Sequence, residues 1–396
     1  MELLAPVGNL SMLRAAVDSG CNAVYFGIKG LNMRDRANNF AIEEIKKVVD
    51  FCHKNNVKAY CCVNVIIYEN ELNKLDEVLK ALKEAGIDAV ICWDMAVVKK
   101  CNELCIDIHL STQASVSNSE AAKLWKIFGV KRIILARECK LEDIKEIKEK
   151  IDVEVEVFVH GARCISLSGR CFMSEELFDK SANRGECLQP CRREFKVVDE
   201  EEKQMKMNNN FIMSAKDLCA LPLLDKIIGL GVDSIKIEGR NRRADYVSKV
   251  VSVYRKAIDA IKSKKFTKEL IDSLMEELKS IYNKDFSSGY FVDYPHHERC
   301  DVYGSKSTME KMQLGKVDNF YNEKMVAELK IESYGFKKGD KLGFLGNKTG
   351  YHEQVIEELK DYDENDIEET EKGKVVTVKL DKKVRKNDEV YLIKKR

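Results

Sequence analysis

Five cysteines lie close together near the middle of the chain, at spacings that could bring several thiols to one centre: Cys164, Cys171, Cys187, Cys191 and Cys219. Most of them fall in two segments that also carry glycine and arginine, HGARCISLSGRC and NRGECLQPCR. Neighbouring cations favour the thiolate form of cysteine, which is the form that binds metals or attacks as a nucleophile. The sequence therefore predicts a metal centre or thiol chemistry in this region.

The spacing of the cysteines leaves the kind of centre open. Cys187 and Cys191 form one close pair, whereas zinc sites favour two such pairs. Iron–sulfur clusters also take four cysteines and accept looser spacing. Free cysteine is in addition one of the most buried residue types, so thiols that bind no metal are a third interpretation.

Short apolar runs alternate with amphipathic helical patterns through about residue 262. This alternation is typical of an α/β domain with a parallel sheet, and eight candidate strands fit a (β/α)8 TIM-like barrel. A doubly wound open sheet is the alternative, but no G-x-G-x-x-G follows any of these strands. The candidate strands are residues 2–5, 23–28, 58–64, 89–92, 107–111, 132–136, 154–159 and 234–237.

The pattern divides the chain into a barrel and a smaller domain. Residues 1–300 are predicted to form the barrel, with a cysteine-bearing insertion at 160–219. Residues 301–312 are expected to be a linker. From residue 313 to 396 short alternating runs are separated by turn signals, which predicts a small all-β domain, a β-barrel.

Composition narrows the classes of function. The chain is 44% hydrophobic and 34% charged, which indicates a globular protein, and its net charge of +1 gives no overall field for nucleic acid or membrane. No membrane span and no signal peptide are predicted. Fourteen cysteines without an export signal suggest the cytoplasm, where cysteine clusters usually bind metal or take part in catalysis.

Polar residues close several of the predicted strands, where a barrel carries its chemistry. His160 is a candidate acid or base because histidine titrates near neutrality. Arg34 and Arg36, in NMRDRANNF, could hold carboxylates or phosphates. Lys236 alternates with Glu238 and Arg240 and should face the barrel interior or its mouth. The other strand-end candidates are Asn64, Asp94, Gln113 and Arg137.

Several uncommon motifs resemble, in order, the signature blocks of the collagenase-like peptidase family (peptidase family U-thirty-two). They are LLAPVGNLSMLRAAVDSGCNAVYFG, EVFVHGARCISLSGRCFMS, ANRGECLQPCRREF, SAKDLC and DSIKIEGR, over about residues 1–300. The family name implies proteolysis. Better-understood relatives instead hydroxylate RNA bases or quinone precursors with a 4Fe–4S cluster, and some depend on prephenate.

The resemblance implies that this protein is an RNA hydroxylase acting on tRNA or ribosomal RNA. It implies a 4Fe–4S cluster on Cys164, Cys171, Cys187 and Cys219, with Cys191 in reserve. His160, Glu238 and Arg240 are then the expected catalytic residues. Arg34, Arg36, Asn64, Gln113 and Arg137 are expected to bind the substrate or a small anionic co-substrate such as prephenate.

Two other functions stay open. A peptidase is the first, although the sequence has neither H-E-x-x-H nor G-x-S-x-G. A Cys–His dyad of Cys164 and His160 would exclude Cys164 as a cluster ligand. A zinc-stapled RNA-binding protein is the second, favoured by the arginines of the cysteine region and disfavoured by the low net charge.

Overall fold

The structure, a computed structural model, describes residues 1–205, 210–295 and 298–396. Strands β1 to β12 are Glu2–Pro6, Ala23–Gly27, Lys58–Cys62, Ala89–Cys92, Ile108–Leu110, Val130–Ile134, Glu154–Gly161, Val197–Val198, Gln204–Met205, Asp217–Cys219, Ser234–Ile237 and Phe286–Ser287. Helices α1 to α10 are Leu10–Asp18, Ile42–Lys54, Leu72–Ala85, Met95–Glu103, Ser119–Ile127, Leu141–Lys150, Met173–Phe178, Leu224–Gly229, Ala244–Lys262 and Lys268–Lys279.

Eight parallel strands close into a barrel. Strands β1 to β7 pair in sequence order, β11 pairs with β1, and β11 also pairs with β7. The predicted (β/α)8 barrel is therefore confirmed, and the open doubly wound sheet is wrong. The strands are almost wholly buried and mainly apolar, as parallel strands covered by helices require.

The helices of the barrel turn apolar faces inward and polar faces to water. In α2 the buried residues are Ile45, Val48, Val49 and Cys52, which share one face at helical spacing. Asp94 begins α4 by accepting a hydrogen bond from the Ala96 amide at 2.9 Å. This strand-end candidate thus caps a helix, because an N-cap carboxylate satisfies an otherwise unpaired N–H.

The insertion leaves the barrel after β7 and returns through β10. It contains α7, the short hairpin of β8 and β9, and several single turns. Strand β10 runs antiparallel to β7 and pairs on its other edge with β12. Gly185 of the insertion has a φ of +92°, and a Cβ atom there would lie 2.3 Å from the Asn32 carbonyl oxygen. The insertion therefore rests directly on the loop that follows β2.

The C-terminal region is a separate antiparallel sheet with its own apolar core. Strands β13 to β19 are Met309–Tyr321, Val326–Ile331, Lys341–Gly346, Gly350–Val355, Leu359–Lys360, Val375–Lys379 and Glu389–Lys395. Their order is β16-β15-β19-β13-β14-β18-β17. Within the described residues β16 and β17 do not pair, so hydrogen bonds do not close the sheet into a barrel. Strand β13 begins at Met309, inside the predicted linker.

This sheet packs against α1 and α9 of the barrel through charged contacts. Glu353 lies 2.9 Å from Lys249 of α9 and 3.1 Å from Lys341 of its own sheet. Lys311 pairs with Asp245 near the start of α9. In the part of the chain that the structure describes, no helix combines the length and apolar character needed to cross a bilayer.

Candidate active site

One cavity opens at the carboxyl ends of the barrel strands, beneath the insertion. Its floor consists of strand residues, among them Tyr25, Phe158 and Lys236, and its roof comes from the insertion. The residues that we expected at strand ends line its walls: Asn64, Gln113, Arg137, Glu238 and Arg240. Arg34, from the loop after β2, also lines it.

Four of the five clustered cysteines line the roof of this cavity: Cys164, Cys171, Cys187 and Cys191. Three of these sulfurs each face a backbone N–H two residues further along the chain. The Sγ atoms of Cys164, Cys171 and Cys187 lie 3.5, 3.4 and 3.4 Å from the amide nitrogens of Ser166, Met173 and Gln189. Hydrogen bonds of this kind stabilise negative charge on sulfur and tune iron–sulfur centres.

Cys191 is electrostatically linked to the other three thiols. Burial raises the pKa of Cys191 to about 11, while the charge of Arg192 acts to lower this pKa and negative charge on the other three thiols acts to raise it further. Because these four thiols also line the same cavity, we call them the thiol cluster.

Cys219 is not part of the thiol cluster, contrary to our preference for it over Cys191. Its Sγ lies 3.7 Å from the Met275 sulfur and 3.9 Å from the Tyr254 hydroxyl, between β10 and helices α9 and α10. Burial raises the pKa of this thiol to about 11. Strand β10 thus directs Cys219 into the helix layer, whereas Cys191 lies on a tight turn, Pro190–Arg192, beside the cavity.

The thiol cluster matches a 4Fe–4S centre in the type and number of its donors. It combines four thiols, three N–H···S contacts and the nearby cations Arg34 and Arg192 in one cavity. Among the described residues, no three histidine, cysteine, aspartate or glutamate side chains are placed to hold a single metal ion.

Glu238 lies among three arginines. Arg34 Nε is 3.4 Å from the Glu238 Oε1 atom. Burial raises the pKa of Glu238, but the charges of Arg34, Arg137 and Arg240 outweigh burial and hold that pKa below its usual value. Glu238 is therefore a carboxylate at neutral pH, which makes it an acceptor of hydrogen bonds rather than an acid.

One arginine of the cavity has a guanidinium nitrogen without a partner among the described residues. Arg240 is only 4% exposed, and its Nη1 atom has no hydrogen-bond partner among the described residues. Arg137 donates from Nη1 to the Ala162 carbonyl at 2.8 Å and stacks on Phe158 at 4.1 Å. A buried, unpaired guanidinium nitrogen is costly unless a ligand satisfies it. The cavity thus suits an anion.

Lys236 places a further cation on the floor of the cavity. Its Nζ lies 3.0 Å from the buried Glu156 carboxylate and 4.3 Å from the Tyr25 ring centroid. Asn64 and Gln113 provide an uncharged wall, with Asn64 Nδ2 at 3.4 Å from Gln113 Oε1. The cavity therefore has a cationic side and an amide side.

His160 and Arg36 lie outside the cavity. Val159 is an extra residue in β7 relative to β11, since Lys236 pairs with Phe158 and Ile237 with His160. This bulge turns His160 away from the barrel interior, against Tyr246, Tyr254 and Phe286. Burial and the Arg242 charge lower its pKa to about 3.

Arg36 is an exposed residue of the loop after β2 and does not line the cavity. Tyr25, by contrast, is a cavity residue that we did not single out. Its hydroxyl donates to the Ile237 carbonyl at 2.8 Å and lies 3.4 Å from Glu238. Strand alternation could have revealed it, because Ala23, Tyr25 and Gly27 share one face of β2.

The sequence profile of Peptidase family U32 matches residues 8–301. The chain belongs to this family. It is 39% identical to an uncharacterized protease of Methanocaldococcus jannaschii, over 100% of this chain and 98% of that protein. It is 36% identical to a collagenase of Porphyromonas gingivalis, over 100% and 98%. It is also 36% identical to a tRNA hydroxylation protein of Bacillus subtilis, over 97% and 92%.

These relatives carry two kinds of name, protease and RNA hydroxylation protein, over nearly the same length of sequence. Both kinds of name refer to an enzymatic activity, so this chain is an enzyme of the U32 family. Length coverage does not separate the two activities.

Proposed function

We propose that this protein is an iron–sulfur-dependent hydroxylase of a base in tRNA or ribosomal RNA. The observation that carries the proposal is the thiol cluster, which forms the roof of a cationic cavity at the catalytic end of the barrel. The similarity to a tRNA hydroxylation protein along 97% of the chain supports the RNA substrate.

Cys164, Cys171, Cys187 and Cys191 would hold a 4Fe–4S cluster. When bound, such a cluster supplies one-electron redox chemistry. Zinc is a weaker candidate, because a zinc ion needs all four thiolates at about 2.3 Å from one point. In a 4Fe–4S cluster each thiolate binds a different iron, so its ligands stand further apart. That arrangement agrees with four cysteines that line a cavity without converging on one ion.

The cationic side of the cavity would bind a small anionic co-substrate, for which prephenate is our candidate. Arg34, Arg137 and Arg240 line the cavity, and the charges of all three act on Glu238. A guanidinium holds a carboxylate through two parallel hydrogen bonds, which fixes orientation as well as charge. Glu238 holds Arg34 in place through their ion pair and would accept hydrogen bonds from the bound molecules.

The amide side would receive the RNA base. Amide side chains carry both donors and acceptors, as the edge of a nucleobase does. In this structure Asn64 Nδ2 donates to Gln113 Oε1, and a base would compete for these groups. Tyr25 and Phe158 close the floor with aromatic surface. Because a base must leave its stack to enter such a cavity, the enzyme would act on an unpaired or extruded nucleotide.

A peptidase is the second candidate, favoured by the collagenase relative that matches this chain from end to end. The geometry of the site does not support a Cys164–His160 dyad. A Cys–His dyad needs the imidazole within hydrogen-bond reach of the thiol, at roughly 2.6–3.2 Å. His160 instead faces Tyr254 on the outer side of β7, away from the cavity that Cys164 lines.

Nucleoside mass spectrometry on RNA from a strain lacking the gene tests the proposal. We expect one hydroxylated nucleoside to be replaced by its unhydroxylated form in tRNA or ribosomal RNA. Wild-type protein expressed from a plasmid should restore it, and the Arg240→Ala variant should not. Identical nucleoside profiles in the two strains, together with collagen cleavage by the purified protein, would favour the peptidase instead.

A further inference from the structure

The mouth of the cavity carries exposed apolar side chains of the insertion. Ser166, Ser168 and Cys171 line the cavity, while Leu167 and Phe172, which alternate with them, face solvent and are 56% and 65% exposed. Each of these large apolar side chains thus leaves more than half of its surface in contact with solvent. Exposed apolar groups grouped beside a catalytic cavity indicate a binding surface.

Two arginine–aromatic pairs lie at the same end of the barrel. The guanidinium of Arg170 lies 5.9 Å from the centroid of Trp93, and that of Arg184 lies 5.0 Å from the centroid of Tyr68. Trp93 directly follows β4, and its indole N–H donates to the carbonyl of the cavity residue Asn64 at 3.1 Å. Each pair joins a barrel loop to the insertion.

We propose that this rim, formed by Tyr68, Trp93, Leu167, Arg170 and Phe172, binds the unpaired nucleotides that flank the target base in a single-stranded RNA loop. This inference rests on the proposed function and specifies the form of its substrate. Nucleobases stack on aromatic rings and on guanidinium planes, and only unpaired bases expose both faces for this. A paired helix would meet the rim with phosphates and ribose alone.

The charge of the rim is arranged for this partner. Arg170 is exposed, and its Nη2 lies 3.1 Å from the Ser115 hydroxyl, so its planar group is held beside Trp93 rather than free in solvent. Arg36, exposed on the loop that the insertion contacts, can meet a phosphate further out. The chain as a whole has a net charge of only +1, so stacking rather than a general positive field must select the RNA.

Fluorescence anisotropy with a labelled single-stranded RNA oligonucleotide, the same RNA as a duplex, and tRNA from a strain lacking the gene tests this surface. We expect the single strand to bind better than the duplex. Phe172→Ala should weaken single-strand binding by roughly tenfold, since one stacking contact contributes about 1–3 kcal/mol. Tyr362→Ala is the matched control, because Tyr362 is 76% exposed in the C-terminal sheet.

A second measurement needs no change in the rim. The chain has two tryptophans, so the Trp125→Phe variant leaves Trp93 as the sole indole reporter. Trp125 packs on Phe128 at the end of α5, at a barrel helix rather than at the cavity. Stacking of a base on Trp93 should quench its fluorescence in a saturable way with the single strand and much less with the duplex.

The possible outcomes distinguish a failure of the rim inference from a failure of the proposed function. Wild-type affinity in Phe172→Ala, or equal quenching by single strand and duplex, overturns the rim while hydroxylation by the wild type stands. A loss of collagen binding in Phe172→Ala with unchanged RNA affinity assigns the rim to a polypeptide and overturns the inference. Absence of any RNA binding by the wild-type protein overturns both the inference and the proposed function.

Discussion

Arg34 and Glu238 meet across the mouth of the cavity with Nε and Oε1 3.4 Å apart, although 204 residues separate them in the chain. Arg34 comes from the loop after β2 and Glu238 from the end of β11, and the closed barrel brings these two loops together. Among the described residues that line the cavity, Glu238 is the carboxylate that this pair uses. Arg240, whose Nη1 has no hydrogen-bond partner among the described residues, lines the same cavity, so we expect an anionic ligand beside its guanidinium.

Replacing Arg240 by alanine should weaken binding of an anionic co-substrate about tenfold or more. A hydrogen bond from a charged donor contributes roughly 1.5–3 kcal/mol, and about 1.4 kcal/mol corresponds to tenfold in Kd. Isothermal titration calorimetry with prephenate under anaerobic conditions measures the change. The melting temperature of the variant, followed in parallel, shows whether the fold is retained.

Arg36→Ala is the control for this experiment, because Arg36 is an exposed arginine of the same region that does not line the cavity. Its affinity for prephenate should equal that of the wild type. Equal losses in the two variants would mean that the ligand is held by a diffuse positive field rather than by the buried guanidinium.

A second prediction concerns which of Cys191 and Cys219 binds the proposed cluster. Cys191→Ser should lose most of its iron and, after chemical reduction, its cluster signal in electron paramagnetic resonance, because serine would replace one of the four thiolates proposed to bind the cluster. Cys219→Ser should keep both, since its Sγ packs against Met275 and Tyr254 instead. Iron content per chain in anaerobically purified protein measures this; an iron-free Cys219→Ser beside an iron-loaded Cys191→Ser would refute the grouping.

The sequence was sufficient for the fold because buried parallel strands and their helices follow strong periodic patterns. It also located the site, since strand ends such as Asn64 and Glu238 are set by the barrel itself. The sequence did not predict the placement of side chains where one residue interrupts the regular pattern. The extra Val159 in β7 reverses the facing of His160, and a tight turn places Cys191, rather than Cys219, beside the cavity. Such features depend on register and loop path, which no periodic pattern specifies.

His160 should therefore contribute nothing to the pH dependence of catalysis. Its pKa is lowered to about 3 by burial and by the charge of Arg242, so it is neutral throughout the working range. His160→Gln should leave the shape of the pH–rate profile unchanged between roughly pH 5 and 8, where an ordinary histidine titrates. The rate constant of the His160→Gln variant can be lower than that of the wild type, because the substitution removes packing against Tyr254. Loss of an inflection near pH 6.5 would instead return His160 to the active site.

Glu353 should make the attachment of the C-terminal sheet sensitive to acid. Burial acts to raise the pKa of Glu353, but Lys249 and Lys341 outweigh it and hold the pKa at about 2. An unfolded glutamate titrates near 4.3, so the stabilisation is complete above that pH and is lost as the pH falls towards 2. Glu353→Gln should lower the free energy of unfolding at pH 7 by roughly 1–3 kcal/mol.

The decrease in the free energy of unfolding caused by Glu353→Gln should become smaller below about pH 4, because the wild-type protein then loses its own ion pairs. Urea unfolding of both proteins at several pH values measures the difference. Glu358→Gln is a matched control, since Glu358 pairs with Lys379 within the sheet and both side chains are more than half exposed. A pH-independent difference between Glu353→Gln and the wild type would show that packing, not charge, holds the sheet against α9.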